Sequence, residues 1–224
     1  MDMIDLPSPN FDERKLPVSM IVLHYTGMTL GDAAIAWLAD PASKVSAHYV
    51  VAEDGQVVRM VDEGARAWHA GRSSWRGIAD VNSASVGIEI VNPGHEFGYR
   101  PFPAAQMDAV EALVAAVVRR HGVAPAMVVG HSDIAPARKE DPGELFDWPH
   151  LARAGLALAT PDAGFDPRWN DAGFLAALGR FGYDVDDAQA AVVAFQRRFR
   201  PREFGGAIDA ETRGLLFGLL RAQS

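Results

Sequence analysis

The sequence predicts an α/β fold, because short apolar runs typical of buried strands alternate with segments of helical periodicity. The predicted strands are residues 20–25, 47–52, 56–61, 86–91 and 127–130. Two of them flank Asp54-Gly55, a dipeptide that tolerates positive φ and favours a hairpin turn. Residues 31–40 and 103–121 lie between strands and carry apolar side chains at helical spacing. We therefore expect a sheet covered by helices.

The composition changes near residue 160. Residues 160–164 (TPDAG) are typical of a linker. The net charge is −8 for the residues before Gly164 and zero for those after it. Helical patterns follow at residues 171–181, 187–199 and 209–221. The predicted organisation is a domain at 1–160 with an N-terminal extension of about 16 residues, a linker at 161–166 and a second domain at 167–224. Because the second domain is so small, its core alone would be marginally stable. We therefore expect it either to pack against the first domain or to act as a small binding module.

The composition also excludes several classes of function. The chain has 224 residues and a net charge of −8, which disfavours binding to nucleic acid or to an anionic membrane surface. Because there is no cysteine, thiolate metal sites and a cysteine nucleophile are excluded. No apolar run reaches the roughly 18 residues that span a bilayer, and the first 15 residues lack the pattern of an export signal. We expect the protein to be a monomer. We also expect it to be located in the cytoplasm, unless an export signal has been removed from the sequence.

Two of the seven histidines, His24 and His131, directly follow or end predicted strands, where α/β sheets place functional groups. After His131, residues 132–143 form a polar, proline-punctuated segment too irregular for helix or strand. A long ordered loop needs an anchor, and a metal ion held by two imidazoles and one carboxylate would supply it. Asp133 and Asp141 are both candidates for the third ligand.

Glu89 lies within an apolar strand, where burial of an unpaired carboxylate is unfavourable. Desolvation would raise its pKa towards that of a general base. The alternative is a structural carboxylate that is paired with an arginine or solvated at a sheet edge. Lys139 lies two residues before Asp141, so both side chains point the same way if this segment is extended. Such a lysine either stabilises a developing oxyanion or is simply solvated.

Five motifs occur in order between residue 17 and about residue 158. They are IVLHYTG (21–27), SAHYVV (46–51), AWHAG (67–71), SVGIEIVN (85–92) and VVGHSDIAPARKEDPG (128–143). With these motifs, the chain resembles the zinc-dependent N-acetylmuramoyl-L-alanine amidases of the amidase-2 type, which share a fold with peptidoglycan-recognition proteins. The resemblance implies a mixed β-sheet flanked by helices. It also implies hydrolysis of the amide between N-acetylmuramic acid and L-alanine, with peptidoglycan or muropeptide fragments as partners.

The resemblance further implies one Zn²⁺ per chain, held by His24, His131 and Asp141. The pattern K-x-D-P-G at residues 139–143 is the part of the resemblance that selects Asp141 over Asp133. His48 belongs to a family motif as well, and we expect it to pack behind the site rather than to bind the metal.

Roles in catalysis and substrate binding are implied in the same way. Glu89 corresponds to the catalytic carboxylate, and Lys139 to the group that stabilises charge on the carbonyl oxygen. His69 corresponds to a residue of the substrate cleft. We expect Trp68 and Trp75 to line the cleft beside it, because aromatic faces suit sugar rings.

The C-terminal region, residues 167–220, is similar to the three-helix peptidoglycan-binding domain. The similar segments are VVAFQRRF (192–199) and IDAETRGLL (208–216). The main alternative to an amidase is a recognition protein that binds wall fragments without cutting them. A third hypothesis is a zinc peptidase or deacetylase that acts on another amide.

Overall fold

The structure, a computed structural model, describes residues 3–222 and confirms the α/β fold. The strands are β1 (Met3–Asp5), β2 (Phe11–Glu13), β3 (Met20–Tyr25), β4 (Tyr49–Val51), β5 (Val57–Arg59), β6 (Ala65–Ala67), β7 (Ser85–Ile90) and β8 (Val128–Gly130). The helices are α1 (Gly31–Ala39), α2 (Val81–Ala84), α3 (Gly94–Phe97), α4 (Ala104–His121), α5 (His131–Ile134), α6 (Trp148–Arg153), α7 (Asp171–Phe181), α8 (Ala188–Phe199) and α9 (Ala210–Arg221). A 3₁₀ turn at Pro125–Met127 precedes β8.

Six strands form one mixed sheet in the order β1-β5-β4-β7-β3-β8. Strands β4, β7, β3 and β8 are parallel, whereas β5 runs antiparallel to β4. The β4–β5 pair is the predicted hairpin, and Gly55 in its turn has a φ of 89°. Strands β2 and β6 form a separate antiparallel ribbon. The parallel order puts the carboxyl ends of β3, β7 and β8 side by side.

Alternate side chains of the sheet point to opposite faces, and each face is buried differently. On the first face, Ile21 and Leu23 of β3 pack with Ile88 of β7 against α4 and α6. Helix α4 was predicted within one residue, and its hydrophobic stripe is buried in this cluster. It ends at Gly122, whose left-handed backbone, with φ at 68°, terminates the helix.

The second face is covered at both ends and open in the middle. Helix α1 covers one end, where Leu38 packs on Val50 and Val58 of the hairpin. Helices α7, α8 and α9 with the segments that connect them, here called the helical unit, cover the other end. Their buried side chains share one apolar cluster with Met20 and Val22 of β3. The gap between these two coverings exposes the second face at the carboxyl ends of the central strands.

The helical unit begins and ends close to the predicted bounds. Asp187 and Asp209 each accept a hydrogen bond from a backbone N–H in the first turn, and Asn170 does the same for α7. One apolar cluster joins the unit to the sheet across the predicted linker. The division into domains at 1–160 and 167–224 therefore stays a prediction, and its last two residues lie outside the described part of the chain.

The predicted N-terminal extension contributes two short strands. Strand β1 adds an edge to the sheet beside β5, and β2 pairs with β6. Each of these strands has only three residues, so no periodicity marks them, and their pairing depends on distant partners. Residues 1 and 2 lie outside the described range. Within residues 3–222, no helix is long and apolar enough to cross a bilayer.

Candidate active site

The register of the sheet brings three predicted site residues together. His24 of β3 lies directly opposite Glu89 of β7, and Gly130, which precedes His131, continues the pairing of β8 with β3. Partners in register point to the same face, so these side chains meet on the second face at the carboxyl ends of the strands. This is the edge at which α/β sheets carry their functional groups.

His24, His131 and Asp141 form a compact, buried cluster. The Nδ1 atoms of the two histidines lie 2.9 Å apart, and Asp141 Oδ2 lies 3.1 Å from each of them. None of the three residues is more than 6% exposed. They are the one group of His, Asp and Glu side chains within residues 3–222 whose ligand atoms converge closely enough to hold a metal ion.

Hydrogen bonds on the outer side of His131 fix its orientation. Its Nε2 lies 3.1 Å from the backbone oxygen of Ala70. Because a carbonyl oxygen can only accept, Nε2 must carry the hydrogen. In the neutral ring, Nδ1 then presents a lone pair towards the cluster.

A chain of hydrogen bonds fixes His24 in the same way. Ser85 donates its only hydroxyl hydrogen to Val81 O at 2.6 Å, so its oxygen accepts from His69 Nε2 at 3.2 Å. Burial lowers the pKa of His69 well below its usual value, so the ring is neutral and its Nδ1 accepts. His24 Nε2 therefore donates to His69 Nδ1 at 3.0 Å, and His24 Nδ1 is left with a lone pair.

The donor atoms suit a divalent cation. Burial, and then the neighbouring His131, lowers the pKa of His24 to about 4, which keeps this ring neutral. Burial alone would raise the pKa of Asp141, but His131 and His24 hold it well below its usual range. With each ring in the tautomer set by its outer hydrogen bond, the two Nδ1 lone pairs and the Asp141 carboxylate oxygen would all face a bound cation. Bonds of 2.0–2.2 Å to tetrahedral zinc imply ligand separations of about 3.3 Å, close to those found here.

Glu89 lies beside this cluster. Its Oε2 is buried and has no hydrogen-bond partner among the described residues. Burial raises the pKa of Glu89 well above its usual value, Asp141 raises it further, and Lys139 opposes both. A carboxyl group whose pKa is raised in this way holds a proton more readily than a solvated carboxyl group, which suits a general acid or base.

An open cavity of about 380 Å³ lies above the cluster. Its floor includes Glu89 and the three clustered side chains, and Lys139 lies on the loop at one side. Trp68 and His69 also line the cavity, and His69 accepts the hydrogen bond from His24. Trp37 of α1 lines the cavity as well and is 48% exposed, and the sequence analysis did not identify it. The sequence did contain a signal for this residue, because a single tryptophan on the exposed face of a short helix often belongs to a binding surface.

The prediction for Trp75 is wrong. Its side chain is 2% exposed, does not line the cavity and packs against Phe181 and Tyr183 of the helical unit. Its indole N–H donates to Ala126 O. A tryptophan near a site motif can equally be core, and here the helical unit covers it.

The close approach of His69 to β7 was also missed. A Cβ atom on Gly87 would lie 2.4 Å from the His69 ring, so only glycine leaves room for that ring. Glycine inside a predicted strand often marks such an approach, and this signal was present in the sequence. His48 lies behind the site as expected, with its Nδ1 accepting from the Gly87 N–H.

Asp133, the other candidate ligand, points away from the cluster. Its carboxylate accepts from the backbone N–H of Gly130 and from Tyr183 and Arg198 of the helical unit. Both aspartates were candidates for the third ligand on the basis of the residues alone, and the structure places only Asp141 with the two histidines.

A ligand cluster beside a buried carboxyl group on the floor of a cleft is typical of metal-dependent hydrolases. The N-acetylmuramoyl-L-alanine amidase family (Amidase_2) matches residues 14–144. The amidase AmiD from Escherichia coli K12 is 36% identical over 231 aligned positions, which cover 91% of this chain and 82% of AmiD. The 1,6-anhydro-N-acetylmuramyl-L-alanine amidase AmpD from Haemophilus influenzae is 30% identical, with coverage of 66% and 89%. The chain therefore belongs to the N-acetylmuramoyl-L-alanine amidase family and is an enzyme.

Solved structures support the same conclusion. Escherichia coli AmiD, in complex with anhydro-N-acetylmuramic acid-L-Ala-D-γ-Glu-L-Lys, superposes with a TM-score of 0.83 over 93% of this chain and 91% of AmiD, at 36% identity. AmpDh3 from Pseudomonas aeruginosa, in complex with an anhydromuramic pentapeptide, gives 0.82 over 97% and 96%, at 32% identity. The mixed sheet and the helical unit thus lie within the fold shared with these enzymes.

The raised pKa of Glu89 predicts a pH-dependent gain in stability for the metal-free Glu89→Gln variant. The folded state binds this proton more tightly than the unfolded chain, so ionisation of Glu89 weakens the folded state as the pH rises. At pH 8 the variant should be more stable than the unmodified protein, and the gain should shrink towards pH 4.

Urea denaturation of both metal-free proteins across this pH range measures the difference. Glu96→Gln is the control for loss of a carboxylate, because Glu96 is exposed on α3. A gain for Glu89→Gln that stays constant from pH 4 to pH 8 would contradict the assignment.

Proposed function

We propose that the chain is a zinc-dependent amidase that hydrolyses the bond between the lactyl group of N-acetylmuramic acid and L-alanine, in degradation or recycling of peptidoglycan. The observation that carries this proposal is the convergence of His24 Nδ1, His131 Nδ1 and Asp141 Oδ2 beside Glu89. Membership of the amidase family identifies the bond.

Soluble muropeptides with a 1,6-anhydro sugar are the proposed substrate class. The two solved relatives hold anhydromuramic peptides, and AmpD is named for this sugar form. The cavity is open, so a glycopeptide can enter with its amide above the cluster. Trp37 and Trp68 offer aromatic surface on the walls, which suits the apolar face of a sugar ring.

Zinc is the metal proposed, because two imidazoles and one carboxylate are a donor set that zinc hydrolases use. When bound, zinc acts as a Lewis acid that lowers the pKa of water and polarises a carbonyl group. His24 and His131 would bind through Nδ1, since their Nε2 atoms are engaged with His69 and Ala70. The outer hydrogen bonds hold both rings in the orientation that coordination requires.

Glu89 and Lys139 are assigned the proton and charge steps. Glu89 takes the proton from the attacking water and passes it to the amine nitrogen of the departing L-alanine. Its buried position favours the protonated form after the first transfer, and the proton is therefore available for the second. Lys139, on the loop beside the cavity, stabilises the negative charge that develops on the carbonyl oxygen.

The helical unit is proposed to bind peptidoglycan, on the basis of the motifs at residues 192–199 and 208–216. This part of the proposal can fail without affecting the amidase. A sedimentation assay with insoluble peptidoglycan tests it, because binding should survive the Glu89→Gln substitution.

Product analysis tests the amidase directly. With an anhydromuramoyl tripeptide, mass spectrometry should detect free peptide beginning with L-alanine together with the peptide-free sugar. Glu89→Gln should keep its zinc and lose at least about 100-fold in turnover, as expected for removal of a general base. Intact substrate that nevertheless binds would indicate a recognition protein. Cuts inside the peptide, or free acetate, would indicate a different hydrolase.

His69→Ala should weaken zinc binding by about 10- to 100-fold, because His24 loses the acceptor that orients its ring. Competition with a chromophoric chelator measures the affinity. His121→Ala is the matched control, since His121 pairs with Glu63 away from the cluster. Equal zinc affinity of the two variants would show that the His24–His69 contact has no part in coordination.

A further inference from the structure

The helical unit reaches the turn that carries His131 through a buried polar cluster. Tyr183, which follows α7, donates its hydroxyl hydrogen to Asp133 Oδ1 at 2.5 Å. Arg198 of α8 donates to Asp133 Oδ2 at 2.5 Å. All three side chains are at most 6% exposed. Because removal of one partner from a buried ion pair is strongly unfavourable, these contacts hold Asp133 in one arrangement.

Arg198 also contacts the strand that leads to the site. Its second terminal nitrogen donates to Val128 O at 2.9 Å, at the start of β8. Its guanidinium group lies 3.9 Å from the centre of the Trp148 ring, a stacking contact that favours a planar cation. Arg198 thus binds both the first residue of β8 and, through Asp133, the turn that follows the last residue of β8.

Asp133 in turn fixes the backbone around two members of the ligand cluster. Its Oδ2 accepts from the N–H of Gly130 at 2.8 Å, and His131 is the next residue. The N–H of Ser132 donates to Asp141 O at 2.9 Å. The backbone positions of His131 and Asp141 are therefore both tied to the short segment that Asp133 anchors.

We propose that the helical unit is a positioning element of the metal centre. Arg198 and Tyr183 hold Asp133, and Asp133 holds the turn that keeps His131 and Asp141 at coordinating distance. This role goes beyond wall binding and rests on the proposed function in so far as the cluster binds zinc. A module that only tethered the enzyme would not need to insert an arginine beside a strand of the sheet.

The test uses the full chain with Tyr183→Phe, which removes one hydroxyl group and leaves the ring packed beside Trp75. Zinc affinity should fall about tenfold, at the lower end of what outer partners of metal ligands contribute. In the metal-free protein, backbone amides at residues 128–135 should exchange faster with deuterium. Turnover should recover when zinc is added to saturation, which a general loss of folding would not allow.

Tyr49→Phe is the matched control. Tyr49 is also buried and donates to a carboxylate, Glu63, at 2.7 Å, but it packs on the opposite face of the sheet. This variant should lose thermal stability without a change in zinc affinity or in exchange at residues 128–135. Arg198→Lys is the second test variant. It keeps a positive charge but lacks the planar fork that reaches Asp133 and Val128 together, so it should shift both readouts in the same direction as Tyr183→Phe.

Zinc affinity within twofold of the unmodified chain in both Tyr183→Phe and Arg198→Lys would overturn the proposal, even if amide exchange increased. If the unmodified chain itself bound no zinc, the proposed function would fail instead. In that case the exchange comparison, made without metal, still decides whether the helical unit holds the turn. Unchanged exchange in both variants would then overturn the inference independently.

Discussion

His24 Nδ1, His131 Nδ1 and Asp141 Oδ2 lie about 3 Å from one another, and the Nε2–H group of each ring is directed outward to a fixed acceptor. One cation at this point would contact all three atoms, in a space that burial keeps from solvent. The outward hydrogen bonds of His24 and His131 are therefore part of the same constraint as the convergence itself. They select one tautomer for each ring, and that tautomer is the one a metal ion requires.

The architecture of the sheet makes this constraint possible. Parallel strands in register place His24 beside Glu89, and the end of β8 places His131 on the other side of His24. The apolar side chains on the second face of the sheet must be buried, but the face must stay open above the metal-ligand cluster. Helix α1 and the helical unit provide that cover from opposite ends, and the cavity is the space left between them. The two ends of this face therefore contribute buried apolar contacts that stabilise the fold, and the middle of the face gives the substrate access to the site.

Much of this could be predicted from local pattern. The central strands, α4 and the helical unit follow from periodicity, and His24 and His131 follow from their position at strand ends. The choice between Asp133 and Asp141 could not come from the residues alone, because both lie in one irregular segment. What distinguishes Asp133 is Arg198, which lies 65 positions away in sequence. The error over Trp75 has a similar cause, since its burial depends on helices whose docking no local pattern reveals.

The most direct measurement is the rate of hydrolysis of an anhydromuramoyl peptide by protein from which metal has been stripped, followed by titration with zinc. The account predicts that the rate falls to background and returns in full when one equivalent of zinc per chain has been added. Hydrolysis at an undiminished rate by protein shown to contain no metal would contradict it.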